Sequence, residues 1–306
     1  MQRQRTLKEE ATCVGVGLHS GRKVKLALKP AGADRGIVFR RLDASGIEIP
    51  ATAEYLSHIN HATCLARDGV RIETIEHLLA ALHALGIDNV VVELDGPEVP
   101  IMDGSAAPFI YLLHEAGVRT LSASRSFLGL SRPLSVGDEG RFVTAYPCDR
   151  LRLTYTINFD HPLLKHQEYS VEIDESSFVE DIAPARTFGF LKDVELMRQA
   201  GLALGGSLDN AVVLGETGVL NNPLRFPDEF VRHKILDLLG DLVLLGRPLR
   251  AHVVAMRAGH ELHTRLVKAI LESKDLWDTA TEPMETVVAA EVTAPAFARS
   301  ASAGQP

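Results

Sequence analysis

Two segments of this 306-residue chain carry apolar residues at the helical period, and each of those stripes needs a partner surface to bury it. The first spans roughly residues 73–85. Ile75, Leu78, Leu79, Leu82 and Leu85 form its stripe, and Gly86 ends it. The second spans roughly residues 228–245, with Val231, Ile235, Leu238, Leu239, Leu242 and Leu245 in line and Gly246 and Pro248 beyond. Strand patterns around each supply the partner. Residues 24–28 alternate, 37–40 and 47–49 form short β segments, and 89–94 (NVVVEL) have the continuous apolar character of a buried strand. A second set follows at 141–146, 150–159 and 251–256. Further helices are expected near 109–116 and 261–271.

Strands in runs with grouped helices, rather than strict alternation, predict an α+β fold. The expectation is two domains, each a two-layer sandwich of a sheet on helices. The first covers residues 1–123 and the second 124–292, with the short polar stretch 120–126 as linker. The tail 293–306, rich in Ala, Ser and Pro, reads as disordered.

The faces opposite the two stripes carry the chemistry. In a helix turning about 100° per residue, His77 lies about 200° from Ile75, and His233 about 200° from Ile235. Asp237 follows His233 by one turn on the same face, and Asp241 continues the row. Two imidazoles and one carboxylate are a hydrolytic zinc set, leaving a fourth tetrahedral position for water. Taken alone, H-x-x-x-D on a helix is also an ordinary solvated face or a local ion pair. The H-E-x-x-H pattern of zinc proteases is not present.

Composition narrows the classes. A net charge of −8 argues against nucleic-acid binding, which usually needs a basic face. Cys13, Cys64 and Cys148 are too few and too scattered for a disulfide framework or a cysteine-rich metal site. The charged opening MQRQRTLKEE has no apolar core behind it, and no apolar run reaches the roughly 20 residues a bilayer span requires. A cytoplasmic protein is the expectation.

At the two histidine-bearing helices the chain resembles a known family. T-I-E-H (residues 74–77) and F-V-R-H-K-x-x-D (230–237) are similar to the UDP-3-O-acyl-N-acetylglucosamine deacetylases of bacterial lipid A synthesis. GVGLHSG (15–21), GIDNVVVEL, PIMDGSAAPF, ARTFGF (185–190), GLALGGSLDNAVV and AGHELH extend the likeness over nearly the whole chain, to about residue 280.

The resemblance implies a zinc enzyme that removes the N-acetyl group from an acylated UDP-sugar, a site where the two domains meet, and a monomer. It assigns His77, His233 and Asp237 as zinc ligands and Glu76 as the general base. Thr187 becomes the hydroxyl that stabilises the oxyanion, His260 an acid or electrostatic partner, and Asp241 its carboxylate support. Lys234 would meet the anionic substrate, while Phe159, Phe188 and Phe190 would line the cleft. Inserts near residues 42–64 and 194–215 would border it. Ala62, Ala203 and His61 depart from residues found in some members, without touching the catalytic set. Two rivals remain at this point: a zinc deacetylase for a different amidosugar, and a metal-free binding module on an α+β scaffold.

Overall fold

The computed structural model describes residues 2–57, 62–221, 223–275 and 277–280, the last four as backbone. The tail 293–306 and His61 lie outside the described residues.

The first half of the chain forms β1 (Arg3–Leu7), β2 (Ala11–Val16), β3 (Lys23–Pro30), β4 (Ile37–Arg41) and β5 (Ile47–Pro50). The hairpin β6 (Cys64–Arg67) and β7 (Val70–Glu73) follows, then α1 (Glu76–Ala84), β8 (Val90–Leu94), α2 (Ala107–Ala116) and β9 (Val118–Ser124). Five strands make one sheet in the order β2-β3-β8-β4-β5. The apolar run of β8 is buried along its whole length, because it sits in the middle with β3 antiparallel on one side and β4 parallel on the other.

The second half contributes β10 (Phe127–Leu130), β11 (Leu134–Asp138), β12 (Arg141–Pro147), β13 (Arg152–Ile157), β14 (Gln167–Glu172) and the single turn α3 (Glu175–Ser177). Then come β15 (Phe188–Phe190), α4 (Leu191–Gln199), β16 (Val212–Leu214), α5 (Glu229–Leu242), β17 (Leu249–Met256), α6 (His260–Glu272) and β18 (Trp277–Ala280). β17 is the hub of a seven-stranded sheet, pairing antiparallel with β12 and parallel with both β13 and β10. α5 packs against β13 and β14, and α6 against β11 and β12. The fold is α+β, with helices grouped between sheets rather than alternating with strands.

Two sequence expectations change. Most of residues 120–126 is not a linker: β9 pairs antiparallel with β1, Leu7 opposite Val118 and Arg3 opposite Ser124. Its side chains are largely exposed, so the backbone ladder holds it without leaving an apolar signature. The first helix begins at Glu76, not 73, because Glu73 closes β7 and Thr74 takes a left-handed φ of 58°. No described helix is long and apolar enough to cross a membrane.

The seam between the halves is made by α1 and α5. The face of each helix opposite its stripe is not solvated but buried against the other helix, and Glu76, His77, His233, Asp237 and Asp241 are all buried there. One apolar cluster runs continuously from Leu28 and Val92 of the first sheet, through Leu79 and Leu238, to Val253 of the second. Five charged or imidazole side chains inside such a seam must be paired with one another or with a ligand, since their isolated burial is costly.

Candidate functional site

Where α1 crosses α5, the rings of His77 and His233 meet edge to face with centroids 4.9 Å apart. Asp237, one turn beyond His233, places its Oδ1 3.4 Å from the Nε2 of His233 and 3.7 Å from the Nε2 of His77. The three ligand atoms lie within 4.8 Å of one another, as a shared ion would require.

The chemistry of this donor set fits a divalent metal. His233 Nδ1 lies 3.0 Å from the Ala185 carbonyl oxygen. That oxygen can only accept, so Nδ1 carries the proton and Nε2 presents its lone pair to the centre. Burial, with help from His77 and against the pull of Asp237, lowers the His233 imidazole to about 4, so it is neutral. Burial raises the Asp237 carboxyl, but Lys234, His233, His77 and His260 outweigh it and hold the group well below the usual carboxylate range. Lys234 Nζ donates to Asp237 Oδ2 at 2.7 Å, leaving Oδ1 toward the two histidines.

A second row of groups faces this trio. His260, the first residue of α6, lies with Nε2 3.8 Å from Glu76 Oε1 and 3.9 Å from Asp237 Oδ2. Its Nδ1 donates to Asp241 Oδ2 at 2.7 Å. A helix N-terminus disfavours imidazolium, and burial disfavours it further. Asp241, Asp237 and Glu76 reverse both effects and raise the His260 imidazole to about 9. Asp241 is raised by burial but held at about 2 by His260 and His263. Burial raises the Glu76 carboxyl above its ordinary 4.5, opposed by His260 and His77.

These groups open into a cavity of about 610 Å³. Glu76, His77, Thr187, His233, Lys234, Asp237 and His260 line it, together with Phe159, Phe188 and Phe190. Thr187 is placed by its own backbone, its N–H bonded to Gly104 and its carbonyl to Val212. The three phenylalanines form one cluster, Phe159 meeting Phe188 at 6.2 Å and Phe190 at 5.7 Å, and Phe188 reaching the His233 ring. Asp241 alone of the sequence-derived candidates does not line the cavity; it stands behind His260, fully buried.

Sequence reasoning missed the residues that hold this second row. Thr63 donates its backbone N–H to Glu76 Oε2 at 3.2 Å and its hydroxyl to Asp241 Oδ1, and lies 3.2 Å from His260 Nδ1. His263 donates to Asp241 Oδ2 at 2.8 Å and meets the Tyr155 hydroxyl at 3.1 Å. For His263 a signal existed, since it follows His260 by three positions on one helix face. For Thr63, 178 residues from Asp241, there was none.

An α+β enzyme with a His/Asp group able to hold a metal ion at the crossing of two helices is the class these features define. Residues 4–272 match the family model of LpxC, the UDP-3-O-acyl N-acetylglycosamine deacetylases, and the chain belongs to that family. It is 50% identical over 277 residues to the UDP-3-O-acyl-N-acetylglucosamine deacetylase of Myxococcus xanthus, covering 90% of this chain and 88% of the relative. It is 48% identical over 282 residues to the enzyme of the same name from Pseudomonas entomophila, covering 91% and 93%.

Proposed function

We propose that this protein is a zinc-dependent hydrolase that removes the N-acetyl group from UDP-3-O-acyl-N-acetylglucosamine, the committed step of lipid A synthesis in the cytoplasm. The observation that carries the reading is the convergence of a His₂Asp donor set, an opposed carboxylate and the Asp241-bound imidazole of His260 in one cavity of a chain of this family. We take residues 1–123 and 124–292 as its two domains, with the site at their meeting.

His77, His233 and Asp237 would hold the zinc ion, which supplies Lewis acidity toward the amide carbonyl and toward water. Glu76 is the base: its carboxylate accepts the proton of the attacking water, and a pKa raised by burial brings it nearer the working pH. The Thr187 hydroxyl donates to the carbonyl oxygen as that oxygen gains negative charge. His260 holds a proton on Nε2, toward the reacting centre, and delivers it to the departing amine nitrogen. Asp241 keeps that proton in place by accepting from Nδ1 of the same ring. Lys234 neutralises Asp237 and offers a positive charge to the anionic substrate. The Phe159, Phe188 and Phe190 cluster excludes water beside the sugar.

A substrate panel tests the reading. The protein is expected to release acetate from the 3-O-acylated UDP-sugar and, on the order of a hundredfold more slowly or less, from UDP-N-acetylglucosamine, where remote binding energy is lost. Equal rates on both would point to a different amidosugar.

A further inference from the structure

Glu98 is fully buried, yet it takes no part in the chemistry above. Its two oxygens face three donors from two separate parts of the chain. Oε1 accepts the backbone N–H of His19 at 2.9 Å and the hydroxyl of Thr74 at 2.8 Å. Oε2 accepts the backbone N–H of Ser20 at 2.8 Å. Three donors on two oxygens suit a carboxylate, which accepts on both. The approach is close enough that a Cβ at Gly17 would collide with Glu98 Oε2 and Ser20 Oγ, so a side chain there would have to displace the carboxylate.

Both ends of this clamp reach the cavity. Thr74, a β-branched residue at φ 58°, lines it two positions before Glu76, and the hydroxyl bond to Glu98 helps hold that conformation. On the other side, the Leu18–His19 turn carries a second turn: Leu204 N–H donates to the His19 carbonyl and Gly205 N–H to that of Leu18. With Leu18, the neighbouring Leu196, Met197, Ala200 and Leu202 form an apolar wall of the cavity. The wall is thus hung on a turn that the Glu98 carboxylate anchors through two backbone N–H groups.

We propose that Glu98 is a positioning residue that fixes this apolar wall at the distance a hydrocarbon chain needs, and so sets affinity for the acyl group. The assignment of the acyl chain to that wall rests on the reading under Proposed function. Glu98→Gln keeps the shape and one acceptor oxygen, but turns an amide N–H toward the Ser20 N–H. One buried charge-assisted bond is lost and a donor is left facing a donor.

The test is steady-state kinetics on Glu98→Gln, with metal content measured on the same samples. KM for the 3-O-acylated substrate is expected to rise about tenfold, with kcat within about threefold and metal per chain unchanged. KM for UDP-N-acetylglucosamine, which has no chain to place, stays where it was. Should Glu98→Gln fail to fold, Thr74→Ala removes a single donor and shifts the same KM about threefold. An unchanged KM in either folded variant overturns the proposal, as does a collapse of kcat with loss of metal and no change in KM. Calorimetric binding of the deacetylated product, UDP-3-O-acyl-glucosamine, separates the two claims. If the wild-type chain binds it and Glu98→Gln binds about tenfold more weakly, the positioning role stands even where no acetate is released. Equal affinities sink it even where turnover is normal.

Discussion

Gly240 on α5 crosses the backbone of Glu76 on α1 with no room for a side-chain carbon: a Cβ at position 240 would strike the Glu76 carbonyl oxygen. This contact sets how near the two helices bearing the candidate metal ligands come, since His77 follows Glu76 and Asp237 lies one turn before Gly240. Gly240→Ala is therefore expected to destabilise the protein by about 1–3 kcal/mol, the usual cost of overpacking, and to weaken metal binding. Urea unfolding and metal titration read the two effects. A variant with wild-type stability and affinity would show that the crossing has slack.

Glu76 and the proposed metal ligands separate in their consequences. Glu76→Gln should lower kcat by about a hundredfold or more while keeping metal, because a general base contributes on that order. His233→Ala should lose both metal and activity. Metal analysis beside acetate release distinguishes them, and near-wild-type turnover in Glu76→Gln would remove that residue from the role of base.

The pH profile of kcat/KM should be a bell. In the proposed mechanism Glu76 acts ionised, so the rate climbs with pH through a pKa above the ordinary 4.5. In the same proposal His260 acts protonated, so the rate is level below its pKa and falls as pH rises through it, at or below about 9 once a bound cation adds its charge. Asp241→Asn removes the nearest charge sustaining that imidazolium, and the alkaline limb should move down toward the 6.5 of an ordinary histidine. An unmoved limb would assign it to another group.

Arg186 and Glu229 form a buried pair beside Thr187. Glu229 accepts the Arg186 backbone N–H at 3.0 Å and its Nε at 2.8 Å, and also the Arg225 N–H at 2.7 Å. Removing the guanidinium in Arg186→Leu leaves a fully buried carboxylate short of partners, at a cost of about 3–5 kcal/mol. Denaturant unfolding of the variant measures it, and a change under 1 kcal/mol would mean the pair is not a keystone of that loop.

Much of this site was legible before the structure. The 200° offset of His77 and His233 from their apolar stripes isolates the face they share, and the one-turn spacing of His233, Asp237 and Asp241 makes one row of them. What the period of a helix does not contain is what that face meets. The sequence could mark it as apart from its own sheet, but not that a second helix would bury it, because that contact joins residues more than 150 positions apart. The Thr63 bonds and the Glu98 clamp are invisible as well, since Thr and Glu in irregular segments leave no periodic trace. β9 went unread for a different cause. Backbone pairing with β1 holds it, and its exposed side chains follow no burial pattern.

The most direct test of the central claim measures metal and acetate on one sample of the purified protein with the 3-O-acylated UDP-sugar, before chelation, after it, and after zinc is restored. The account predicts about one zinc per chain, activity lost with the metal and recovered with it. Undiminished acetate release from metal-free protein, or stoichiometric zinc with no hydrolysis of that substrate, would contradict it.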